Sequence, residues 1–171
     1  MDKELIKIGL VFGGISGEHE VSINSARTIF ESLRDSSNSF KYKVISIYID
    51  QKGNWHSNNY SEEILQNLNA KNKNLSSKQV PPNNLSNLFD QLKEIDIWFP
   101  ILHGPNGEDG TIQGLFKLTQ KPFVGSDLLG SALGMDKITM KALFFSSGLP
   151  QVEYLPILNA DLLTKPEINS L

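Results

Sequence analysis

No cysteine stands anywhere in this chain of 171 residues. Its absence excludes thiol nucleophiles, cysteine-ligated zinc and disulfide staples, and fits a reducing cytoplasm. Long apolar runs are missing as well. No stretch is long enough to span a bilayer, and Met1-Asp2-Lys3-Glu4 leads straight into a short strand pattern without an apolar signal core. Nor is there an excess of positive charge. The formal net charge of −3 gives no electrostatic case for nucleic acid or an anionic membrane as partner. Hydrophobic residues make up 39% of the chain, enough for a real core. The expectation is a cytoplasmic protein of one domain, or of one domain and part of another.

What is present is organised by apolar runs that end in glycine. Leu5 to Phe12 is apolar and β-branched and stops at Gly13-Gly14, which reads as a buried strand entering a tight loop. Ile23, Ala26, Phe30 and Leu33 then recur at helical spacing between Val21 and Arg34. Lys43 to Ile49 reads as a second strand, closed by Asp50. Strand, loop, helix and strand in that order mark a βαβ unit and a parallel sheet. Gln51 to Asn54 reads as a turn, with Trp55 on a short extra strand. Residues 67–87, rich in Asn, Lys and Ser, read as a surface loop, and Leu85 to Leu92 as a helix leading to a strand at Ile95 to Leu102. Beyond it the pattern predicts a helix from Thr111 to Leu118 with Asp109 as N-cap, a short strand at Pro122 to Val124, and a helix opening at Gly125-Ser126. Asp136 caps a further helix from Lys137 to Phe145, stopped by Gly148 and Pro150, and Val152 to Leu158 reads as a strand.

Two loops carry the chemistry. One is Gly13-Gly14-Ile15-Ser16-Gly17-Glu18-His19-Glu20-Val21-Ser22. The other is His103-Gly104-Pro105-Asn106-Gly107-Glu108-Asp109-Gly110-Thr111-Ile112-Gln113-Gly114. Ligands of open α/β sheets bind beyond the carboxyl ends of the strands, so both loops are expected at one site. A dinucleotide fingerprint needs glycines at G-x-G-x-x-G. Here they fall at 13, 14 and 17, and Glu18 and Glu20 would repel a pyrophosphate, although Asp50 stands where a ribose-binding acid would. A carboxylate on this loop suits a small ammonium group instead, with stabilisation of a helix N-terminus as the plainer role. Ser22 offers a capping or first-turn hydroxyl. His103 could donate to a developing negative charge, ligate a metal with Glu108 and Asp109, or satisfy loop carbonyls; the two acids read best as braces of the loop. Lys137, in the first turn of a helix, opposes the helix dipole, which suits a phosphate contact as well as a solvated surface. Lys141, one turn on, reads as surface.

Together these residues resemble the D-alanine–D-alanine ligase family. The first loop, the HGxxGEDGxxQG pattern of the second, and Gly125-Ser126 followed by Ser131 to Lys137 carry the resemblance in order, to about Pro156. The resemblance implies an ATP-grasp ligase. Its fold is a Rossmann-like, pre-ATP-grasp parallel-sheet domain, placed at residues 1–126, followed at residues 127–171 by the opening of an ATP-grasp domain. It implies two D-alanine molecules and ATP as substrates, magnesium or manganese as metal, a dipeptide destined for peptidoglycan, and a homodimer through the N-terminal domain. By position, Glu18 matches the acid that holds the first D-alanine's ammonium, and Ser22 shares its motif. His103 matches the histidine near the reacting carboxyl, and Lys137 a lysine that reaches the ATP phosphates. The departure is length. The family's remaining nucleotide lysines, oxyanion arginine and acidic metal ligands have no counterpart here. The chain therefore reads as a fragment, a truncated product or half of a split ligase, inactive alone.

Overall fold

The structure, a computed structural model, describes residues 4–66 and 93–157. Three strands form one parallel sheet: β1 (Ile6–Gly13), β2 (Tyr42–Ile49) and β3 (Ile97–Leu102), in the order β2-β1-β3. The central strand is covered on both faces, which is why β1 reads as an unbroken apolar run. Leu10, Val11 and Phe12 are fully buried. Alternation along β1 divides the core. Leu10 and Phe12 pack with Ile23, Ala26 and Phe30 of α1 (His19–Arg34) and with Ile64 and Leu65 of α2 (Asn58–Gln66). Val11 points the other way, into a cluster with Ile45, Ile47, Trp98 and, from α3 (Thr111–Leu118), Ile112 and Phe116. Trp98 and Phe116 stack with ring centroids 4.7 Å apart.

The register sets up the site. Gly13 lies opposite Ile49 on one side and Leu102 on the other, so all three strands end on one line and their loops leave together. The sheet, the Rossmann-type order of elements and the gly-rich strand exits are those expected from sequence.

Some expectations need correction. α1 begins at His19, two residues before Val21, and α2 was not anticipated at all. That short helix spends its polar residues on the sheet: Asn58 Oδ1 accepts from Ser46 N at 2.6 Å and Ser61 Oγ from Tyr48 N at 2.8 Å. It thereby covers the open edge of β2. The cap of α3 is Gly110, held at φ 95°, not Asp109; a left-handed turn there leaves Asp109 one residue too early to be the cap, although its Oδ1 still accepts from Thr111 N at 3.0 Å. Trp55 and Phe123 make single bridges, to Ile49 and Trp98, rather than strands. Residues 151–157 form no strand: the apolar, β-branched pattern there is a propensity without a pairing partner among the described residues. Leu158, the loop at 67–87 and the helix at Leu85 to Leu92 lie outside the described residues.

The chain separates into two compact units after Ala132. α4 (Leu128–Met135) crosses that division, and α5 (Lys137–Ser146) belongs to the second unit. As the sequence predicts, Asp136 caps α5, its Oδ1 accepting from Thr139 N at 2.8 Å. These bonds to Thr139, together with one from Ile138, hold the Asp136 carboxyl below its ordinary value. Gly148, at φ 71°, takes the turn after the helix, its N–H donating to Phe145 O.

Candidate functional site

Beyond the strand ends, the two loops are tied directly to each other. Ser16 Oγ donates to the carbonyl of His103 at 2.7 Å, and the Glu18 N–H donates to Ser16 Oγ at 3.2 Å. Ser16 was not singled out from sequence. A serine in a glycine loop is too common to signal by itself, and its partner lies 87 residues away.

Glu18 stands exposed at the start of α1 with its carboxylate against the second loop. A Cβ built on Gly104 would come within 2.9 Å of Glu18 Oε2. Gly104 itself holds φ 70°, so the position needs glycine for its conformation and for this approach. Ser22, by contrast, is wholly buried. Its Oγ accepts from Gly13 N at 2.8 Å and donates to the Ile101 carbonyl. Its one proton is thus committed to Ile101, and the two bonds clamp α1 to the ends of β1 and β3.

His103 is partly buried at the exit of β3. Its Nδ1 lies 3.9 Å from Glu108 Oε1, while its Nε2 is buried with no hydrogen-bond partner. A ring nitrogen left so costs about 1–3 kcal/mol unless something polar meets it. The loop around it is braced by the two acids, as the sequence suggested. Glu108 Oε2 accepts from Gly104 N at 3.0 Å. Asp109 Oδ2 accepts from Asn106 N at 2.8 Å. Burial works against the Asp109 carboxylate, but the amides of Asn106 and Thr111 outweigh it and hold its pKa below the ordinary value. Gln113 Nε2 adds a bond to Gly107 O at 2.9 Å.

A cleft of about 270 Å³ opens where the loops meet the turn after β2, walled by Gly14, Ile15, Trp55, Leu102, His103 and Pro105. Its walls are mainly apolar. Glu18 does not line it, so the cleft and the carboxylate occupy different places along the loops. Asp50, the acid a ribose would need, is already consumed by its own turn. Lys52 N, Asn54 N, Asn54 Nδ2 and His56 Nε2 all donate to it, at 2.8 to 3.0 Å. Burial would raise the Asp50 pKa, but the bonds from Asn54, His56 and Lys52 prevail and hold it at about 2. A dinucleotide reading therefore loses its second feature.

Lys137 is exposed at the first position of α5, in the second unit. Lys141 lies over the ring of Tyr154 at 4.6 Å. Among the described residues no group of three or more His, Asp or Glu side chains converges, so they offer no fit for a resident magnesium or manganese ion. No helix among them is long and apolar enough to cross a membrane.

Comparison with known proteins bears on the same loops. A family model described as the D-ala D-ala ligase N-terminus matches residues 7–126. A D-alanine–D-alanine ligase of Prochlorococcus marinus is 56% identical over 164 residues, covering 96% of this chain and 47% of that protein. One from a Synechococcus species is 48% identical over 161 residues, covering 94% and 45%. Among solved structures, the VanG D-Ala:D-Ser ligase from Enterococcus faecalis is similar with a TM-score of 0.73 at 33% identity, covering 98% of this chain and 49% of that one. The D-alanine-D-alanine ligase from Coxiella burnetii gives 0.67 at 26% identity, with the same coverage. The chain spans about half the length of the curated relatives it matches.

Proposed function

The chain belongs to the D-alanine–D-alanine ligase family, and from that premise we propose that it carries the first-substrate half of an ATP-dependent dipeptide ligase. In this reading ATP phosphorylates the carboxylate of one D-alanine. The amine of a second attacks the acyl phosphate, and inorganic phosphate leaves as the peptide bond forms. Glu18 pairs with the ammonium of the first D-alanine. His103 donates through its unpartnered ring nitrogen to the carboxyl oxygen on which charge develops. Lys137 contacts ATP phosphate. Ser22 is a positioning residue, because its hydroxyl is spent on Gly13 and Ile101. The observation that carries the reading is the pair of loops held together by Ser16, with Glu18 and His103 brought to one strand edge.

The described residues provide no ligand set for magnesium or manganese. The setting is the cytoplasm, where ATP and D-alanine are at hand, and the product is a peptidoglycan precursor. The family resemblance also supports a homodimer. The half-length coverage favours a particular form of this reading: turnover needs a complementing half, covalently joined or supplied by a separate chain, and residues 1–171 alone bind D-alanine without ligating it.

A chimera tests this. Residues 1–171 would replace the matching part of the Prochlorococcus marinus ligase, and phosphate release would be followed with ATP and D-alanine. The expected result is D-alanine-dependent turnover by the chimera and none by residues 1–171 alone. A folded chimera without turnover, or turnover by the isolated chain, would overturn the proposal.

A further inference from the structure

Next to Glu18 sits a histidine to which the reading above gives no task. His19 is 4% exposed, on the inward face of α1. Its Nδ1 lies 2.6 Å from the Gly14 carbonyl and its Nε2 3.0 Å from the Tyr48 hydroxyl. A carbonyl can only accept, so Nδ1 carries the proton. In the neutral ring Nε2 then accepts, and Tyr48 donates.

Tyr48 is held firmly for that task. Its ring is 5.5 Å from Phe12 and 5.4 Å from His56, on which it stacks. A Cβ on Gly13 would come within 2.9 Å of it. Burial first, then the neighbouring Tyr60, Asp50 and Glu20, raise its phenol well above the ordinary value, so its proton remains available to donate. His56 in turn donates to Asp50 Oδ2 at 3.0 Å. The first loop is thus joined through His19 to β2 and to the turn that follows it.

We infer that His19 is a positioning residue: through Gly14 and Tyr48 it locks the first loop against β2 and so fixes where the Glu18 carboxylate stands beside Gly104. Its bearing on substrate rests on the proposed D-alanine reading; its placement does not. Without His19 the Gly14 carbonyl loses its partner, the loop gains freedom, and the adjacent first turn of α1 no longer presents Glu18 in one place. The cost falls on ligand affinity, because a mobile carboxylate must be ordered on binding.

Two measurements on residues 1–171 test this independently. Nitrogen-15 spectra of the histidine rings, recorded well above the ordinary imidazole range, should show His19 as the single tautomer with Nδ1 protonated and Nε2 bare. The Nε2-protonated form, or the tautomer mixture of a free imidazole, would overturn the inference whether or not D-alanine binds. In the second, His19→Ala should shift the Glu18 and Gly104 amides and weaken D-alanine binding about tenfold, the worth of one buried hydrogen bond. His19→Asn, which keeps a donor near Nδ1, should return both amides and bring affinity to within about threefold of the parent. Tyr48→Phe should move the same two amides without unfolding the sheet. If the parent binds and His19→Asn restores nothing, the inference fails while the D-alanine proposal stands. If the parent does not bind, that proposal fails, and the tautomer and amide shifts still decide on His19.

Discussion

Single residues decide the geometry of the two loops, and glycines most sharply. Gly104 combines φ 70° with a Cβ position 2.9 Å from Glu18 Oε2, whereas nothing lies within 4 Å of a Cβ on Gly17. Gly104→Ala is therefore expected to cost about 1–2 kcal/mol in backbone strain and to displace Glu18. Gly17→Ala should leave stability within about 0.5 kcal/mol of the parent. Urea midpoints of the two variants check the contrast, and equal midpoints would count against the loop geometry. Asp50 gives a pH signature. Its folded pKa is depressed to about 2, against an ordinary value of about 3.9 in the unfolded chain. Its contribution is thus present above about pH 4 and is lost as pH falls toward 2. Asp50→Asn should flatten that part of the stability profile; identical acid limbs in the two proteins would show that Asp50 does not titrate with folding. The glycines, His103 and the bracing acids were legible in the sequence because that mixture has no packing purpose. Ser16 and His19 were not, because their roles consist of bonds to residues brought near only by the sheet.

Elements were legible where a single face does one thing. β1, β2 and β3 are apolar runs, and α1 shows Ile23, Ala26 and Phe30 at helical spacing, so their existence follows from pattern. α2 escaped because its polar residues serve the edge of β2 rather than solvent. Trp55 and Phe123 have strand propensity and do meet β2 and β3, but each pairing stops after a single bridge. The most consequential join between elements is Ser22, which links α1 to β1 and β3 at the strand ends. Ser22→Ala should destabilise the first unit by about 1–3 kcal/mol, since it leaves the Gly13 N–H and the Ile101 carbonyl unsatisfied in the interior. The loss should appear as a lower urea midpoint at unchanged slope. A midpoint unmoved by the substitution would remove Ser22 as the clamp.

At the scale of the whole chain the two units differ in how much they bury. The first contains the sheet and both hydrophobic clusters. In the second, none of the described residues 133–157 is buried, and Phe145, Val152 and Leu155 are 79%, 78% and 70% exposed. Segments with few buried apolar contacts open at low free energy, so brief proteolysis of residues 1–171 should cut within 133–157 while the sheet persists. Early cleavage within β1 or β3 instead would contradict this division. The most direct measurement of the central claim is a D-alanine titration of residues 1–171 followed by the amides of the two loops, repeated with Glu18→Gln. The account expects saturating shifts at Glu18, Gly104 and His103 in the parent, and their loss when the carboxylate becomes an amide. Shifts of equal size in Glu18→Gln, or none in the parent at tens of millimolar ligand, would contradict it.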